Sequence, residues 1–283
     1  MRYAAMRGRS RGVALTGALL LVAIVGVAPA QAKSVPNPAY EQFKYCPAKA
    51  KGLHYCLVAK TLGGEVKLGS KSVPITKPMT VQGGISKSSE QLVPATEGQS
   101  FVGEPEPVPG GLAGIEGLEG VAGELSARSE LAGPPSSIIL SAENTIDETG
   151  TAVELPLKVK LENTTLGETC EIGSDASPIL LHLTTGTTSP PSPNSPIKGS
   201  HGTLSVAEEG NIVRFTGTKL VDNAFSAPEA KGCGGLLESV IDPVVNLDSG
   251  LPSASGNNTA ILEGTMELAI PKAVRKAHVL PKS

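Results

Sequence analysis

The sequence predicts a mainly β protein: an antiparallel β-sandwich or barrel-like domain, with a small disulfide-stapled β module at its N-terminal side. The 283 residues include 33 glycines and 23 prolines, which favours short strands joined by many turns. From residue 137 onward, short apolar or alternating segments recur between turn residues, as in antiparallel sheets. Large aromatic residues are scarce, with four Phe, four Tyr and no Trp, so disulfides between the four cysteines would add needed stability.

The first 32 residues have the features of a secretory signal peptide. Several arginines precede an apolar run at 13–27, which has signal-peptide length and is short for a membrane-spanning helix. Ala30-Gln31-Ala32 is a small-x-small cleavage sequence, so we expect cleavage between Ala32 and Lys33. An uncleaved anchor is the alternative. We expect no transmembrane segment in the mature chain, a secreted location, and an oxidising surrounding in which disulfides persist.

Residues 33–100 are expected to form a basic β module. Phe43 and Tyr45 alternate with polar residues, and Gly63-Gly64 is expected to turn the chain between two later strands. Nine lysines against two glutamates give residues 33–87 a net charge of +7. The candidate contacts for an anionic ligand are Lys44, Lys49, Lys51, Lys60, Lys67, Lys71 and Lys77. The alternative is that this block packs against the acidic remainder of the chain.

Residues 101–136 are expected to form an acidic linker rich in Gly and Pro. A Glu-Pro run at 104–109 favours an extended spacer. Glycines then recur every third residue, which would place Leu112, Ile115, Leu118 and Val121 on one edge of a polyproline-like helix. This edge could dock on a partner or on the chain's own sheet. The alternative is a flexible tether.

Residues 137–270 are expected to form the main β domain. Residues 152–161 alternate apolar and polar side chains as a half-buried strand does, and Pro156 indicates an edge or bulged strand. Further strands are predicted at 179–184 and 259–270, with a hairpin at 203–206 and 211–216. A short helix is predicted within 236–245, interrupted by Pro243. Residues 271–283 form a tail with a net charge of +4.

Four cysteines allow three disulfide connectivities, which sequence alone does not separate. We favour Cys46–Cys56 and Cys170–Cys233, because each pair lies within one compositional block. On the loop-entropy estimate they would stabilise the fold by about 3 and about 4 kcal/mol. Metal-bound thiols are less favoured, because the chain contains no Cys-x-x-Cys and no His at zinc-finger spacing.

No motif in the sequence carries a defined chemistry. A nucleophile elbow, a His-Glu-x-x-His helix and an EF-hand loop are all missing. We therefore expect no catalytic, cofactor-binding or metal-binding residues. The weak exception is His182, which could meet His201 and Asp222 in space to form a hydrolytic or metal site. Ordinary structural histidines are the alternative.

Several strings resemble those of secreted proteins of high-GC actinobacteria that have no assigned function. They are Cys170-Glu-Ile-Gly-Ser, Pro178-Ile-Leu-Leu-His-Leu-Thr-Thr-Gly, Val221-Asp-Asn-x-Phe-Ser-x-Pro, Gly232-Cys-Gly and Leu251-Pro-Ser-Ala-Ser-Gly-Asn-Asn-Thr-Ala. The resemblance covers about residues 170–265. It implies a bacterial exported protein and supplies no catalytic residues.

Together these observations favour a secreted bacterial protein of the cell envelope or extracellular space, with a binding or structural role. We expect its lysines to meet anionic envelope polymers or lipid headgroups. Nucleic acid is not expected as a partner, because the chain after residue 32 has a net charge of −7. The alternatives are an extracellular hydrolase with a His/Asp site and a purely structural or adhesive surface protein.

Overall fold

The computed structural model describes residues 35–111 and 124–281. In these ranges the chain is mainly β, as predicted, and forms two antiparallel sheets that do not close into a barrel. The strands are β1 (Leu53–Leu68), β2 (Lys71–Pro74), β3 (Met79–Ser86), β4 (Leu92–Pro94), β5 (Phe101–Val102), β6 (Glu106–Pro107), β7 (Ser126–Leu131), β8 (Ile139–Leu140), β9 (Val153–Glu162), β10 (Glu171–Ile172), β11 (Ile179–Leu183), β12 (Thr203–Ala207), β13 (Ile212–Asp222), β14 (Ala230–Lys231) and β15 (Thr259–Ala269).

Helical segments are few and short among the described residues. The α-helices are α1 (Ala142–Asp147), α2 (Glu238–Ser249) and α3 (Pro271–Lys276). Short 3-10 segments lie at Pro38–Phe43, Thr96–Gly98, Pro135–Ser137, Glu208–Gly210 and Gly235–Leu237. Helix α2 coincides with the helix expected near residue 240 and continues past Pro243 to Ser249. The expected hairpin at 203–216 is formed by β12 and β13.

The first sheet, sheet A, has the strand order β12-β13-β15-β1-β3-β4, with β2 pairing β1 and β5 pairing β3. Its longest strand is β1, which has 16 residues and pairs with β15, β2 and β3. The pairing with β15 joins residues far apart in the chain, from Cys56 opposite Ala269 to Lys67 opposite Thr259. Strands near the two ends of the described chain therefore lie side by side at the centre of this sheet.

The expected turn at Gly63-Gly64 is not a turn. Strand β1 continues through it, and its register against β15 shifts between Thr61 and Gly63. Gly64 has a φ of 111°, and a Cβ there would collide with the carbonyl of Ile261. Glycines can adopt this backbone and allow this close approach, so they make a bulge within a strand here.

The second sheet, sheet B, has the order β14-β10-β9-β7-β6, and β8 and β11 also pair with β9. The predicted alternation along β9 is confirmed, with Val153, Leu155 and Leu161 buried. Strand β9 is central rather than an edge. The carbonyl of Pro156 accepts from the backbone N–H of Ala132 at 3.1 Å, just past the end of β7. In an antiparallel strand the nitrogen and the carbonyl of one residue point to the same side. The proline nitrogen, which has no hydrogen to donate, therefore points past the last residue pair of β7 and β9, and proline is tolerated there.

The inner faces of the two sheets share one apolar core, which includes Leu57, Leu155, Leu181 and Leu268. A second, smaller core lies at one end of sheet A. There Cys56 and Val58 of β1 pack with Phe43 of the N-terminal 3-10 segment and with Val274 of α3. Phe43 thus lies in a 3-10 segment, where its alternation with polar neighbours had suggested a strand.

Both predicted disulfides are confirmed. Cys46 and Cys56 are bonded with their Cα atoms 5.5 Å apart, and Cys170 and Cys233 with theirs 4.1 Å apart. The second bond joins the residue before β10 to a residue just after β14. The helix α2 is held against the same place, because Asp242 accepts from the backbone N–H of Cys233 at 2.7 Å.

The compositional boundaries at residues 100 and 136 do not coincide with breaks in the fold. The chain from Val35 onward forms one compact unit, and the strands expected in the basic module belong to sheet A. The expected linker contributes three strands. Strand β5 pairs with β3, β6 pairs with β7, and β7 pairs with β9. The expected C-terminal tail begins with α3. The signal peptide, its cleavage site and the period-three segment at 112–123 lie outside the described residues.

Candidate functional site

The clearest charged feature is a group of basic side chains at the end of sheet A where β1 begins and β3 and β15 end. We call it the basic pole. Its members come from three stretches of chain and are all exposed: Lys49, Lys51, Lys87, Lys272, Arg275 and Lys276. Two of them, Lys49 and Lys51, are among the lysines expected to contact an anionic ligand.

Hydrogen bonds and the first disulfide bring these stretches together. Arg275 on α3 donates through Nη1 to the carbonyl of Ala48 at 2.6 Å. The backbone N–H of Lys87, just after β3, donates to the carbonyl of Gly52 at 2.9 Å. The Cys46–Cys56 bond closes the loop that carries Lys49 and Lys51. The pole is therefore fixed to the small core rather than assembled from freely moving chain ends.

Within the described part of the chain, no carboxylate oxygen lies within 4.0 Å of any of the six cations of the pole. A groove of about 360 Å³ opens beside Lys49, and Glu97 is the one carboxylate among its described lining residues. Clustered charges of one sign raise the local concentration of oppositely charged ions.

Acidic side chains also lie close to the small core. Glu208 accepts from the side-chain amide of Asn37 at 2.9 Å. Burial, followed by the charges of Glu208 and Glu209, raises the pKa of Tyr40. The backbone N–H of Asn37 also donates to the carbonyl of Ala277, just after α3, at 2.9 Å, so Glu208 and α3 are connected through Asn37.

The other five candidate lysines lie elsewhere. Lys44 is 3.7 Å from Glu41, Lys71 is 2.7 Å from Asp248, and Lys77 is 3.8 Å from Glu104. Lys60 and Lys67 are exposed on β1, away from the pole. The N-terminal lysines therefore do not form one surface. The part of the sequence that completes the pole is the basic stretch after residue 270, whose charge was visible but whose position was not.

The three residues of the weak candidate site do not converge. Asp222 accepts from the backbone N–H of His182 at 2.7 Å and from that of Ala224 at 2.8 Å. The ring of His182 instead faces Glu154, with Nε2 3.7 Å from a carboxylate oxygen. Burial raises the pKa of Asp222 against these two hydrogen bonds. The hydrogen bonds of its carboxylate are therefore to the backbone, while the charge of His182 acts to lower its pKa.

His201 belongs to a different pair. Its Nδ1 lies 3.0 Å from Glu148, and its backbone N–H donates to the same carboxylate at 3.2 Å. That backbone hydrogen bond lowers the pKa of Glu148. In residues 35–111 and 124–281 no group of three or more His, Cys, Asp or Glu side chains is placed to hold a metal ion.

No helix in the described part of the chain is long and apolar enough to cross a membrane. Comparison with known proteins adds no further information: no family model, no curated protein and no solved structure matches this chain.

Proposed function

We propose that this is an exported bacterial protein that binds anionic polymers of the cell envelope through the basic pole. The observation that carries the proposal is the set of six exposed cations, drawn from three stretches of chain, without a carboxylate partner among the described residues. The signal-like first 32 residues and the two disulfides support export, because disulfides persist in oxidising compartments.

The pole suits a flexible polyanion better than a small anion. Its cations are spread over a loop, a strand end and a helix, and they are exposed rather than gathered around one enclosed point. A polymer with repeated phosphates or carboxylates can meet several of them at once and release its own counterions. Binding of this kind weakens steeply as salt concentration rises.

The test is binding of inorganic polyphosphate to the oxidised protein, measured over a series of salt concentrations, with uncharged dextran for comparison. The double variant Lys49→Gln/Lys276→Gln removes one cation from each main stretch of the pole. We expect it to bind about tenfold more weakly. The slope of log affinity against log salt should also fall by about two, one for each lost contact.

The matched control is Lys60→Gln/Lys67→Gln, which removes the same charge from exposed positions on β1 outside the pole. We expect it to change affinity less than twofold. An equal loss in both double variants would show that net charge rather than the pole determines binding. Polyphosphate binding no stronger than dextran binding would refute the proposal altogether.

A further inference from the structure

The space between the two sheets is not completely filled. Two adjoining cavities, each of about 80 Å³, lie in the main core and share five lining residues. The shared residues are Val66, Leu68, Met79, Ser129 and Val159. Protein cores contain few voids larger than a water molecule, so two adjoining ones are unusual. An engineered apolar cavity of about 150 Å³ in another protein stays dry and binds benzene or xenon.

The walls of the first cavity are almost entirely apolar. Its lining side chains come from both sheets, and Thr61 and Ser129 are the polar ones among those described. Water gains little in such a place because it finds few hydrogen-bond partners. Met79 and Met266 both contribute to the wall, and their unbranched side chains can move to fit a guest. This cavity therefore favours an apolar occupant over water.

The second cavity differs because it leads to a polar rim. Its described lining includes Lys71, Glu106 and Ser249 beside the apolar residues. The rim is held by the end of α2: Ser70 N donates to the carbonyl of Ser249 at 2.9 Å, and Lys71 Nζ lies 2.7 Å from Asp248. The apolar interior is thus continuous with a partly exposed ion pair.

The charges of the rim restrict the head group that could lie there. Glu106 already accepts from Thr76 N and Lys77 N through one oxygen, and from the Thr76 hydroxyl through the other. Lys71 is the single cation among the described lining residues, and Asp248 already neutralises it. An additional carboxylate or phosphate would face two carboxylates and one paired lysine. A neutral hydroxyl can accept from Lys71 and donate to Asp248 without adding charge.

We propose that the space between the sheets is a binding site for a small neutral amphiphile, with an alkyl chain or single ring in the cavities and a hydroxyl at the Lys71–Asp248 rim. The site is separate from the basic pole and selects a different class of molecule. Its size limits the guest to about six carbon atoms unless the methionines move. The head group is recognised by hydrogen bonding and the chain by removal of apolar surface from water.

The methionines that line the first cavity allow binding of a guest to be measured directly. The chain contains four, and the two in the described ranges, Met79 and Met266, both line the first cavity. Methyl-labelled methionine resonances, assigned with Met79→Leu and Met266→Leu, would be followed during titration of the full chain with 1-hexanol, hexane and hexanoate. We expect saturable shifts of both resonances with hexanol. Hexanoate should bind roughly tenfold more weakly, which corresponds to about 1.4 kcal/mol.

The filling variant is Ser129→Leu, because Ser129 lines both cavities and faces the core from β7 opposite Val159. We expect it to abolish the hexanol-dependent shifts. The matched control is Ser205→Leu, the same replacement at an exposed position of β12, which should leave the shifts unchanged. Should Ser129→Leu disturb folding, the smaller filling change Ala59→Val should still weaken binding.

Three results would overturn the proposal. The first is no shift of either methionine up to the solubility limit of hexanol and hexane. The second is shifts that persist unchanged in both filling variants, which would place the guest elsewhere. The third is tighter binding of hexanoate than of hexanol, which would contradict the assignment of the rim to a neutral head group.

Discussion

At the scale of single residues, Glu106 on β6 is a tightly constrained carboxylate. It is nearly fully buried, and its two oxygens accept from Thr76 and Lys77, which follow β2. It therefore fastens a strand of sheet B to the chain that connects two strands of sheet A. Burial alone would raise the pKa of Glu106, but the three hydrogen bonds outweigh it and hold the pKa below its ordinary value.

This depressed pKa has a predictable effect on stability. The unfolded chain holds the Glu106 proton more tightly than the folded chain, so stability falls as pH drops from the unfolded pKa through the folded one. We expect Glu106→Gln to lower the free energy of unfolding at neutral pH by about 1–3 kcal/mol, since charged hydrogen bonds are lost at a buried site. The variant should also lose part of the acid-dependent decline, measured by urea unfolding between pH 7 and pH 3.

Glu104→Gln is the control for this prediction. Glu104 lies two residues away, its side chain is 72% exposed, and its ion pair with Lys77 is long at 3.8 Å. An exposed pair of this kind contributes little, so stability should change by less than about 0.5 kcal/mol at any pH. Equal effects of the two substitutions would mean that Glu106 does not hold the sheets together.

At the scale of elements, the two adjacent glycines in the bulge of β1, Gly63 and Gly64, differ in whether the structure can accept a side chain. Gly64 has a positive φ, and a Cβ there would collide with the backbone of β15, whereas a Cβ on Gly63 would meet nothing within 4 Å. We expect Gly64→Ala to destabilise the protein by about 1–3 kcal/mol. Gly63→Ala should be neutral or slightly stabilising, because it only reduces the freedom of the unfolded chain.

Thermal unfolding of the two alanine variants beside the unchanged protein would check this. Equal midpoints for Gly63→Ala and Gly64→Ala would show that the register shift does not depend on a glycine at position 64.

The same bulge shows what local sequence patterns can and cannot predict. Alternation of apolar and polar residues predicted β9 because one face of the strand is more buried than the other. Neighbouring residues lie on opposite faces, so the difference is visible in the local sequence. A Gly-Gly pair fits a turn and a bulge equally well. Here the pair forms a bulge because β1 pairs with β15, some 200 residues away in the chain, and this pairing keeps β1 extended. Likewise, the basic charge after residue 270 was visible, but only packing of α3 on β1 shows that it joins Lys49 and Lys51.

Residues of the expected linker supply strands for a related reason. The composition of residues 101–136 identified an acidic, Pro-rich segment. Such a segment can still supply short strands when a partner strand is available. Ser126–Leu131 carries no strong apolar pattern, yet it pairs along six residues of β9. The interior cavities could not be predicted at all, because a void depends on how side chains from two sheets fit together.

At the scale of the whole molecule, the Cys170–Cys233 bond joins residues with a sequence separation of 63 and closes a loop that contains β10 to β14. Both sheets contribute strands to that loop. We expect Cys170→Ala/Cys233→Ala to lower the free energy of unfolding by about 4 kcal/mol on the loop-entropy estimate. The Cys46→Ala/Cys56→Ala variant, with a separation of 10 residues, should lose about 3 kcal/mol.

Denaturant unfolding of the two double variants would measure both losses. The Cys46–Cys56 variant should in addition bind polyphosphate more weakly, since the loop that carries Lys49 and Lys51 is no longer closed. If Cys170→Ala/Cys233→Ala weakened polyphosphate binding and Cys46→Ala/Cys56→Ala did not, the pole would not depend on the disulfide that closes its loop.

The pairing of β1 with β15 also determines the order in which the molecule can assemble. A chain synthesised from its N-terminal end presents β1 long before β15 follows. Until then the β15-facing edge of β1 has unsatisfied N–H and C=O groups, which invite pairing with other chains. Such distant pairing also makes folding slow. The central pairing of sheet A can therefore form only after residues 259–269 are available.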